Sequence, residues 1–246
     1  MVPLTVEIIE ILRRSKQGMT EPFICRGADN AIYFVKGHAA GRLSLVKEWI
    51  CGNLAQALEL PIAPFEIVEI SHELIDPAPE LELNDLGSGL AFGSKQHPLT
   101  NDIVFSQVGL VPLGLRRDIA VFDRWIRNYD RTLSAYGGNP NLLWAADSSS
   151  VVMIDHNNAF DSPTDRQTFI ASHIFGRAFL EICRDANEIV AYRNRLDQAL
   201  DGWADIVSSV PQSWMFLDAL ETLPIGFNFN DAFAVLCEHR EQGFWS

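Results

Sequence analysis

The chain has 246 residues, of which 48% are hydrophobic, so it can bury a sizeable core, and this excludes a largely disordered protein. It has 19 basic and 32 acidic residues, a net charge of −13. Such a chain has no general attraction to nucleic acid or to an anionic membrane surface. No apolar run approaches the roughly 18 residues of a membrane span, so we expect no membrane partner and no direct nucleic-acid partner.

The four cysteines, at positions 25, 51, 183 and 237, are far apart and form no CxxC pair. This spacing indicates neither a zinc site nor a redox framework. It is typical of reduced, buried thiols and of a cytoplasmic protein. Near the N-terminus the basic residues follow the apolar stretch, which is the reverse of a secretory signal peptide.

The first predicted elements are a helix, a β-hairpin, a second helix and a strand. Apolar residues at helical spacing predict a helix over 4–15. Two β-rich runs around the turn signal ADN predict a hairpin from about 22 to 37. The run RLSLVKEWICGNLAQALEL predicts an amphipathic helix that ends before Pro61, and APFEIVEIS predicts a strand.

The second half is predicted to be mainly helical. From about 72 to 112 the pattern weakens and is rich in Pro, Gly, Ser and Asp, which predicts a loop or linker with short strands at best. Helical periodicity returns at 115, NLLWAADSSSVVMID predicts a second hairpin, and the chain after Pro163 is predicted to be helical.

This order predicts an α+β fold of the bilobal protein-kinase type, an order that other α+β folds share. A small β-rich N-terminal lobe would span about 1–75, a linker region about 76–112, and a larger helical C-terminal lobe about 113–246.

Lys36 closes a predicted strand, and Glu48 lies twelve residues later on the following helix. In phosphoryl-transfer enzymes a strand lysine contacts the phosphates of the nucleotide, and a helix glutamate holds it by an ion pair. Strand-end lysines and helix-surface glutamates are also commonplace, so a purely structural role stays open for both residues.

The stretch FDRWIRNYDRTLSAYGGNPNLLW, followed by VVMIDHNNAF, contains a candidate catalytic set. Asp130 has the chemistry to orient a substrate hydroxyl and accept its proton, and Asp155 to bridge a metal ion and phosphates. The amide oxygen of Asn141 or Asn139 suits Mg²⁺. A hairpin brings the residue before its first strand close to the residue after its second, so Asn141 and Asp155 are expected to meet. The structural alternative is an Asp130–Arg131 ion pair with a turn-forming Asp155.

Three polar residues that follow Asp155 are weaker candidates. His156 is interpreted as a hydrogen-bonded structural residue rather than as a general base, although its chemistry suits either role. Asn157 and Asn158 are interpreted as residues that orient Asp155 or form a turn.

The motifs NYDR, NPNLLW and VVMIDHNNAF resemble the catalytic and metal-binding segments of HipA-like kinases, and more distantly those of the phosphoinositide 3/4-kinases. Four other stretches resemble further parts of the HipA-like group: PFICRGADNAIYFVKG, KEWICGNLAQALELPIAPFEIVEI, DLGSGLAFGS and HIFGRAF. The resemblance covers most of the chain. It implies a single HipA-like kinase domain over 1–246 that uses ATP and Mg²⁺.

Position by position, the resemblance implies that Asp130 is the catalytic base or hydroxyl-orienting group and Asp155 the principal Mg²⁺ ligand. It implies that Lys36 contacts the α- and β-phosphates and that Glu48 pairs with it. The second metal ligand is Asn141 or Asn139, and we prefer Asn141 because it abuts the apolar strand LLW.

The chain departs from the family pattern in two places. The segment RTLSAYGG separates Asp130 from its asparagine by more residues than in the family, and we expect SAYGG to bulge out without moving its ends. No GxGxxG precedes Lys36, so Gly27 in RGADN is the residue left to bring backbone N–H groups to a phosphate.

We therefore expect an ATP- and Mg²⁺-dependent protein serine/threonine kinase that acts on an unidentified protein substrate. Two alternatives stay open. One is a catalytically weak pseudokinase that binds nucleotide or a partner, and the other is a phosphoinositide-type lipid kinase, which the net charge of −13 disfavours. The resemblance also implies an antitoxin-like partner protein.

Overall fold

The structure, a computed structural model, describes residues 5–15, 21–76, 83–146, 150–161, 164–218 and 220–246. It is a mixed α+β protein, as predicted. Its strands are β1 (Thr5–Arg14), β2 (Phe23–Gly27), β3 (Ile32–Lys36), β4 (Phe65–Ile70), β5 (Gly89–Lys95), β6 (Thr100–Asp102), β7 (Leu142–Ala145) and β8 (Ser150–Met153). Its helices are α1 (Arg42–Ala57), α2 (His72–Ile75), α3 (Leu113–Trp125), α4 (Arg166–Ser172), α5 (Gly176–Ile182), α6 (Ala186–Leu200), α7 (Trp203–Ser208), α8 (Phe229–Cys237) and α9 (Gln242–Trp245).

The chain divides into two compact units. The first contains the described residues of Met1–Ile50, Ala63–Pro98 and Val207–Phe227, and the second those of Cys51–Ile62, Leu99–Ile206 and Asn228–Ser246. The bilobal arrangement, with its predicted boundaries near 75 and 113, stays a prediction.

The first unit is built on a closed five-stranded barrel in the order β1-β2-β3-β5-β4. β1 is antiparallel to β2 and parallel to β4, and the remaining neighbours are antiparallel. Closure pairs every strand on both sides, which removes the open edges that favour aggregation. The barrel core contains Ile8, Phe23, Cys25, Tyr33, Val35, Val68, Ile70 and Ala91.

The predicted helix over 4–15 is wrong over its described part, where the chain forms β1. The pairing of β1 with β2 shifts register between Ile8 and Glu10 and again between Ile11 and Arg13. Such bulges insert an extra residue. The inward-facing apolar residues therefore fall at Val6, Ile8 and Ile11, so the alternation of a strand is interrupted by a step of three residues, which is a helical spacing.

The interpretation of about 72–112 as loop or linker with short strands at best is also corrected. Residues 77–82 lie outside the described part. β5, however, has seven residues and pairs with β3 and with β4. Its sequence, GLAFGSK, has two glycines and no long apolar run, so the strand propensities of its residues do not predict a strand. Gly93 is needed because a Cβ there would lie 2.6 Å from Val68.

The segment Val207–Phe227 contributes to the first unit through Trp214, which is fully buried. The Trp214 indole N–H donates to the Leu90 carbonyl at 2.9 Å, and the Trp49 indole N–H donates to Ser209 Oγ at 2.8 Å. The rings of Trp49 and Trp214 meet edge to face at 6.4 Å. Buried aromatic side chains of this size, with their polar atoms satisfied, anchor the segment.

The second unit contains α3 and the predicted second hairpin, β7–β8, to which β6 adds on the β7 side. Its core is rich in aromatic side chains. The Trp125 indole N–H donates to the Leu236 carbonyl at 2.7 Å, and Phe179 stacks on Trp245 with ring centres 6.0 Å apart. The Trp125 bond fixes the end of α3, after which the segment that contains Asp130 begins.

The remaining predicted elements are confirmed: the hairpin β2–β3, the helix α1, the strand β4 and the helical character after residue 163 in the described residues. All four cysteines are free thiols. Cys25 and Cys51 are buried, and burial raises the pKa of the Cys25 thiol to about 12. In the described part of the chain, no helix combines the length and the apolar character needed to cross a bilayer.

Candidate active site

The candidate residues of the first unit are Lys36 and Glu48, which form an ion pair. Lys36 ends β3, Glu48 lies in α1, and Lys36 Nζ donates to Glu48 Oε1. The Glu48 side chain is 3% exposed and that of Lys36 10%. Solvent therefore screens the attraction much less than it would at a surface. The structure brings these two residues together as predicted, and their contact with phosphate stays a prediction.

Gly27 ends β2 at the turn into β3. Its N–H donates to the Ala31 carbonyl at 2.9 Å, and the Ala31 N–H donates to Asp29 Oδ1 at 3.0 Å. A Cβ at Gly27 would lie 2.8 Å from Asp29 Oδ1 and 2.9 Å from Tyr33. Close packing is thus sufficient reason for a glycine here. Phosphate binding by this turn stays a prediction, and the geometry gives it no support.

The candidate residues of the second unit lie around the hairpin β7–β8. Leu142 pairs with Met153, and the Ile154 N–H donates to the Asn141 carbonyl at 3.1 Å. Asn141 and Asp155 therefore flank adjoining ends of the hairpin, as predicted. Both have left-handed backbones, with φ of 45° and 58°. A non-glycine residue in this region costs about 1–3 kcal/mol, and such strain clusters at functional sites.

Asp130 is the centre of a set of side-chain amides. Its Oδ2 accepts hydrogen bonds from Nδ2 of Asn139 at 3.2 Å, of Asn141 at 3.1 Å and of Asn158 at 3.0 Å. Its Oδ1 is buried and has no hydrogen-bond partner among the described residues. The structure thus brings Asp130, Asn139 and Asn141 together. It adds Asn158, for which the sequence predicts a role in orienting Asp155 or in a turn.

The orientation of these amides fits a magnesium ion. A carboxylate oxygen only accepts, so the NH₂ group of Asn139 and of Asn141 faces Asp130 and leaves each amide oxygen for a cation. Asp155 supplies a carboxylate. Among the described residues, no group of three His, Cys, Asp or Glu side chains could hold a metal ion. Mg²⁺ needs no such cage, because it takes one or two carboxylates and fills its shell with phosphate and water.

The inserted segment SAYGG forms a small closed loop that projects from the chain between α3 and β7. The Thr132 N–H donates to the Asn139 carbonyl at 2.8 Å, and the Ser134 N–H donates to the Gly137 carbonyl at 3.0 Å. Tyr136 is fully exposed at the tip. The loop therefore bulges out while its ends stay together, as expected from the sequence.

Arg131 links the segment that follows α3 to the hairpin β7–β8. Its side chain is fully buried, and its Nε donates to Asp123 Oδ2 at 2.6 Å. Nη1 donates to the backbone carbonyls of Asn141 and Ile154, the latter at 3.5 Å, and Nη2 to His156 Nε2 at 3.2 Å. Arg131 thus pairs with Asp123 and not with Asp130. His156 accepts this bond in the interior, consistent with the structural role assigned to it.

Asp123 is fully buried and holds three side chains. Besides Arg131 it accepts from His173 Nε2 at 2.9 Å and from Asn128 Nδ2 at 3.1 Å. Burial acts to raise the pKa of Asp123, but the charge of Arg131 and the contacts of His173 outweigh it and hold that pKa well below its usual range. The Phe175 N–H donates to His173 Nδ1 at 3.1 Å, so the proton of that ring lies on Nε2 and faces Asp123.

Three features are not predicted from the sequence: Asp123, the residues to which Arg131 bonds, and His173. One signal was available for Asp123. It lies four residues after Ile119 and three before Ile126, and both isoleucines are fully buried. A carboxylate in the apolar stripe of an amphipathic helix indicates a buried polar partner.

Comparison with known proteins identifies one family. A family model described as HipA-like kinase matches residues 8–246. No significant match was found among curated proteins. Among solved structures, the crystal structure of the Helicobacter pylori proinflammatory kinase CtkA is 11% identical and covers 98% of this chain and 96% of that one, with a TM-score of 0.49.

Proposed function

Because the chain belongs to the HipA-like kinase family, we propose that it is an ATP- and Mg²⁺-dependent phosphotransferase that acts on serine or threonine hydroxyls of a protein. The observation that supports this most is the Asp130 set. One oxygen of the carboxylate is held by three amides, and the other is buried with no hydrogen-bond partner among the described residues.

In the first unit, Lys36 is proposed to contact the α- and β-phosphates of ATP. The buried carboxylate of Glu48 fixes the direction of the lysine side chain through their ion pair. An ammonium group that is already oriented loses little freedom when it meets a phosphate, so it stabilises transferring negative charge effectively.

In the second unit, Asp130 is proposed to orient the acceptor hydroxyl and to accept its proton. Asp155 and Asn141 are the proposed Mg²⁺ ligands, with Asn139 as the alternative to Asn141. When bound, Mg²⁺ would neutralise charge on the phosphate oxygens. Arg131 holds the backbone of Asn141 and of Ile154, the residue before Asp155, so the two ligands keep their separation.

The acceptor is proposed to be a protein. A phosphoinositide kinase works at an anionic membrane surface, and a chain with a net charge of −13 is repelled from it. An antitoxin-like partner protein remains part of the proposal on the strength of the family alone.

A second candidate is a pseudokinase that binds nucleotide or a partner protein without transferring phosphate. The turn at Gly27 favours it, because the N–H groups of Gly27 and Ala31 are already bonded inside the protein. A kinase that lacks a glycine-rich phosphate loop would hold ATP more weakly.

The test compares ATP turnover and ATP-induced thermal stabilisation in the presence of Mg²⁺. The wild type should turn over ATP and should be stabilised by it. Asp130→Asn should keep the thermal stabilisation by ATP but lose turnover. Asp155→Asn should lose the Mg²⁺-dependent part of the stabilisation. Asp102→Asn, an exposed carboxylate on β6, serves as the control and should match the wild type. Stabilisation of the wild type without turnover would favour the pseudokinase, and full turnover in both site variants would contradict the proposed residues.

A further inference from the structure

Asn158 lies in the segment that follows Asp155, yet its side chain is bonded to Asp130. Its Nδ2 lies 3.0 Å from Asp130 Oδ2, the shortest of the three amide bonds to that oxygen. The turn around it is anchored, since the Phe160 N–H donates to the Ile126 carbonyl at 2.7 Å and the Ala159 N–H to the His156 carbonyl at 3.0 Å. The amide is therefore presented to Asp130 by a fixed backbone.

We infer that Asn158 is a positioning residue for phosphotransfer, which holds the Asp130 carboxylate in the orientation from which it takes the proton of the acceptor hydroxyl. This inference rests on the proposed function. A carboxylate oxygen has two lone pairs, and three amide N–H groups already compete for those of Oδ2. Oδ1 has no hydrogen-bond partner among the described residues, so the amide bonds to Oδ2 are the ones that orient the carboxylate.

The proposed step balances as follows. The O–H bond of the acceptor breaks, and its proton moves to the Asp130 carboxylate. The acceptor oxygen forms a bond to the γ-phosphorus of ATP, the bond from that phosphorus to the β–γ bridging oxygen breaks, and ADP leaves with its electron pair. Asn158 touches none of the reacting atoms. It acts by holding the carboxylate in one rotamer.

The three amides differ in what else they are proposed to do. Asn139 and Asn141 are the candidate metal ligands, so their replacement would change metal binding and carboxylate orientation together. Asn158 is not assigned a ligand role, and its side chain is exposed, so its replacement separates orientation from metal binding and from folding. It is therefore the position at which the inference can be tested without ambiguity.

The experiment measures autophosphorylation and ATP turnover with Mg²⁺ for the wild type, Asn158→Ala and Asn158→Asp. Loss of one charge-assisted hydrogen bond should lower kcat about tenfold in Asn158→Ala. Asn158→Asp also brings a second carboxylate against Asp130 and should lower kcat by about a hundredfold or more. The KM for ATP and the melting temperature should stay at the wild-type values in both variants, because the residue neither holds nucleotide nor packs in the core.

Asn101→Asp provides the matched control, since it adds the same charge at an exposed residue on β6, outside the proposed site, and should retain the wild-type kcat. An active wild type together with an equally active Asn158→Asp would overturn this inference and leave the proposed function standing. The inference would also be overturned if the loss of kcat came with an equal loss of ATP binding and thermal stability. That result would mean that Asn158 only stabilises the turn. A wild type that transfers no phosphate would overturn the proposed function and this inference with it.

Discussion

Arg131 and Asp123 form a salt bridge in which both side chains have no exposed surface, with Arg131 Nε 2.6 Å from Asp123 Oδ2. Through its other nitrogens Arg131 binds the backbone at both ends of the β7–β8 hairpin. One buried charge pair at the end of α3 thus sets the positions of Asn141 and of Asp155, although neither partner is expected to touch the substrate.

We predict that Asp123→Asn lowers the free energy of unfolding by about 3 kcal/mol or more near neutral pH, because it leaves the buried charge of Arg131 without its carboxylate. Glu181→Gln, at an exposed ion pair with Arg117, is the control and should cost less than about 1 kcal/mol. Denaturant unfolding of the three proteins measures both values. Equal losses in the two variants would mean that burial adds nothing to the Asp123 pair.

The same pair predicts a dependence of stability on pH. The pKa of Asp123 is depressed by folding, so its contribution is fully present above the unfolded-state pKa of about 4 and is lost as pH falls below it. The difference in unfolding free energy between the wild type and Asp123→Asn should therefore narrow below about pH 4. A difference that widens in acid would contradict this assignment.

Glu48→Gln should lower phosphotransfer by about a hundredfold, because the neutral amide no longer orients the Lys36 ammonium by charge. Glu69→Gln changes an exposed glutamate on β4 in the same way and should have no effect. ATP turnover under saturating Mg²⁺ measures the change. Unchanged turnover in Glu48→Gln would show that the buried pair is purely structural.

The two candidate amide ligands are distinguished by magnesium dependence. We predict that Asn141→Ala raises the Mg²⁺ concentration for half-maximal turnover more than about tenfold, whereas Asn139→Ala raises it less. The reason is that Asn141 adjoins β7 and its carbonyl is bonded to Arg131 and Ile154, whereas Asn139 lies in an exposed loop. Asn101→Ala on β6 is the control. A larger shift in Asn139→Ala would assign the ligand role to Asn139.

Gly138 closes the inserted loop, where a Cβ would lie 2.5 Å from the Thr132 carbonyl oxygen. Gly138→Ala should therefore displace the neighbouring Asn139. Turnover should fall about tenfold, because this displacement breaks the hydrogen bond from Asn139 to the Asp130 carboxylate. Tyr136→Ala alters the exposed tip of the same loop and should leave turnover and the melting temperature unchanged. Wild-type turnover in Gly138→Ala would show that the loop does not position Asn139.

Much of the candidate site could be predicted because its signals are local. The hairpin around Asn141 and Asp155 follows from two apolar strands and a polar turn, and the Lys36–Glu48 pair follows from a strand and the next helix. Neither prediction requires knowledge of which distant segments meet.

The elements and contacts that the sequence does not predict correctly depend on residues that are far apart along the chain. The bulges that give β1 its misleading apolar spacing exist only in its pairing with β2, and the strand character of β5 comes from two neighbours. The bond between Asn158 and Asp130 joins residues 28 positions apart, so no local pattern of either segment reports it.

The most direct test is intact-mass spectrometry of the purified protein after incubation with ATP and Mg²⁺, beside Asp130→Asn. The proposed function predicts that the wild type gains the mass of a phosphoryl group and that Asp130→Asn does not. Equal gain of phosphate in both proteins would contradict the role of Asp130. Absence of phosphate from a wild type that also fails to turn over ATP would contradict the kinase activity itself.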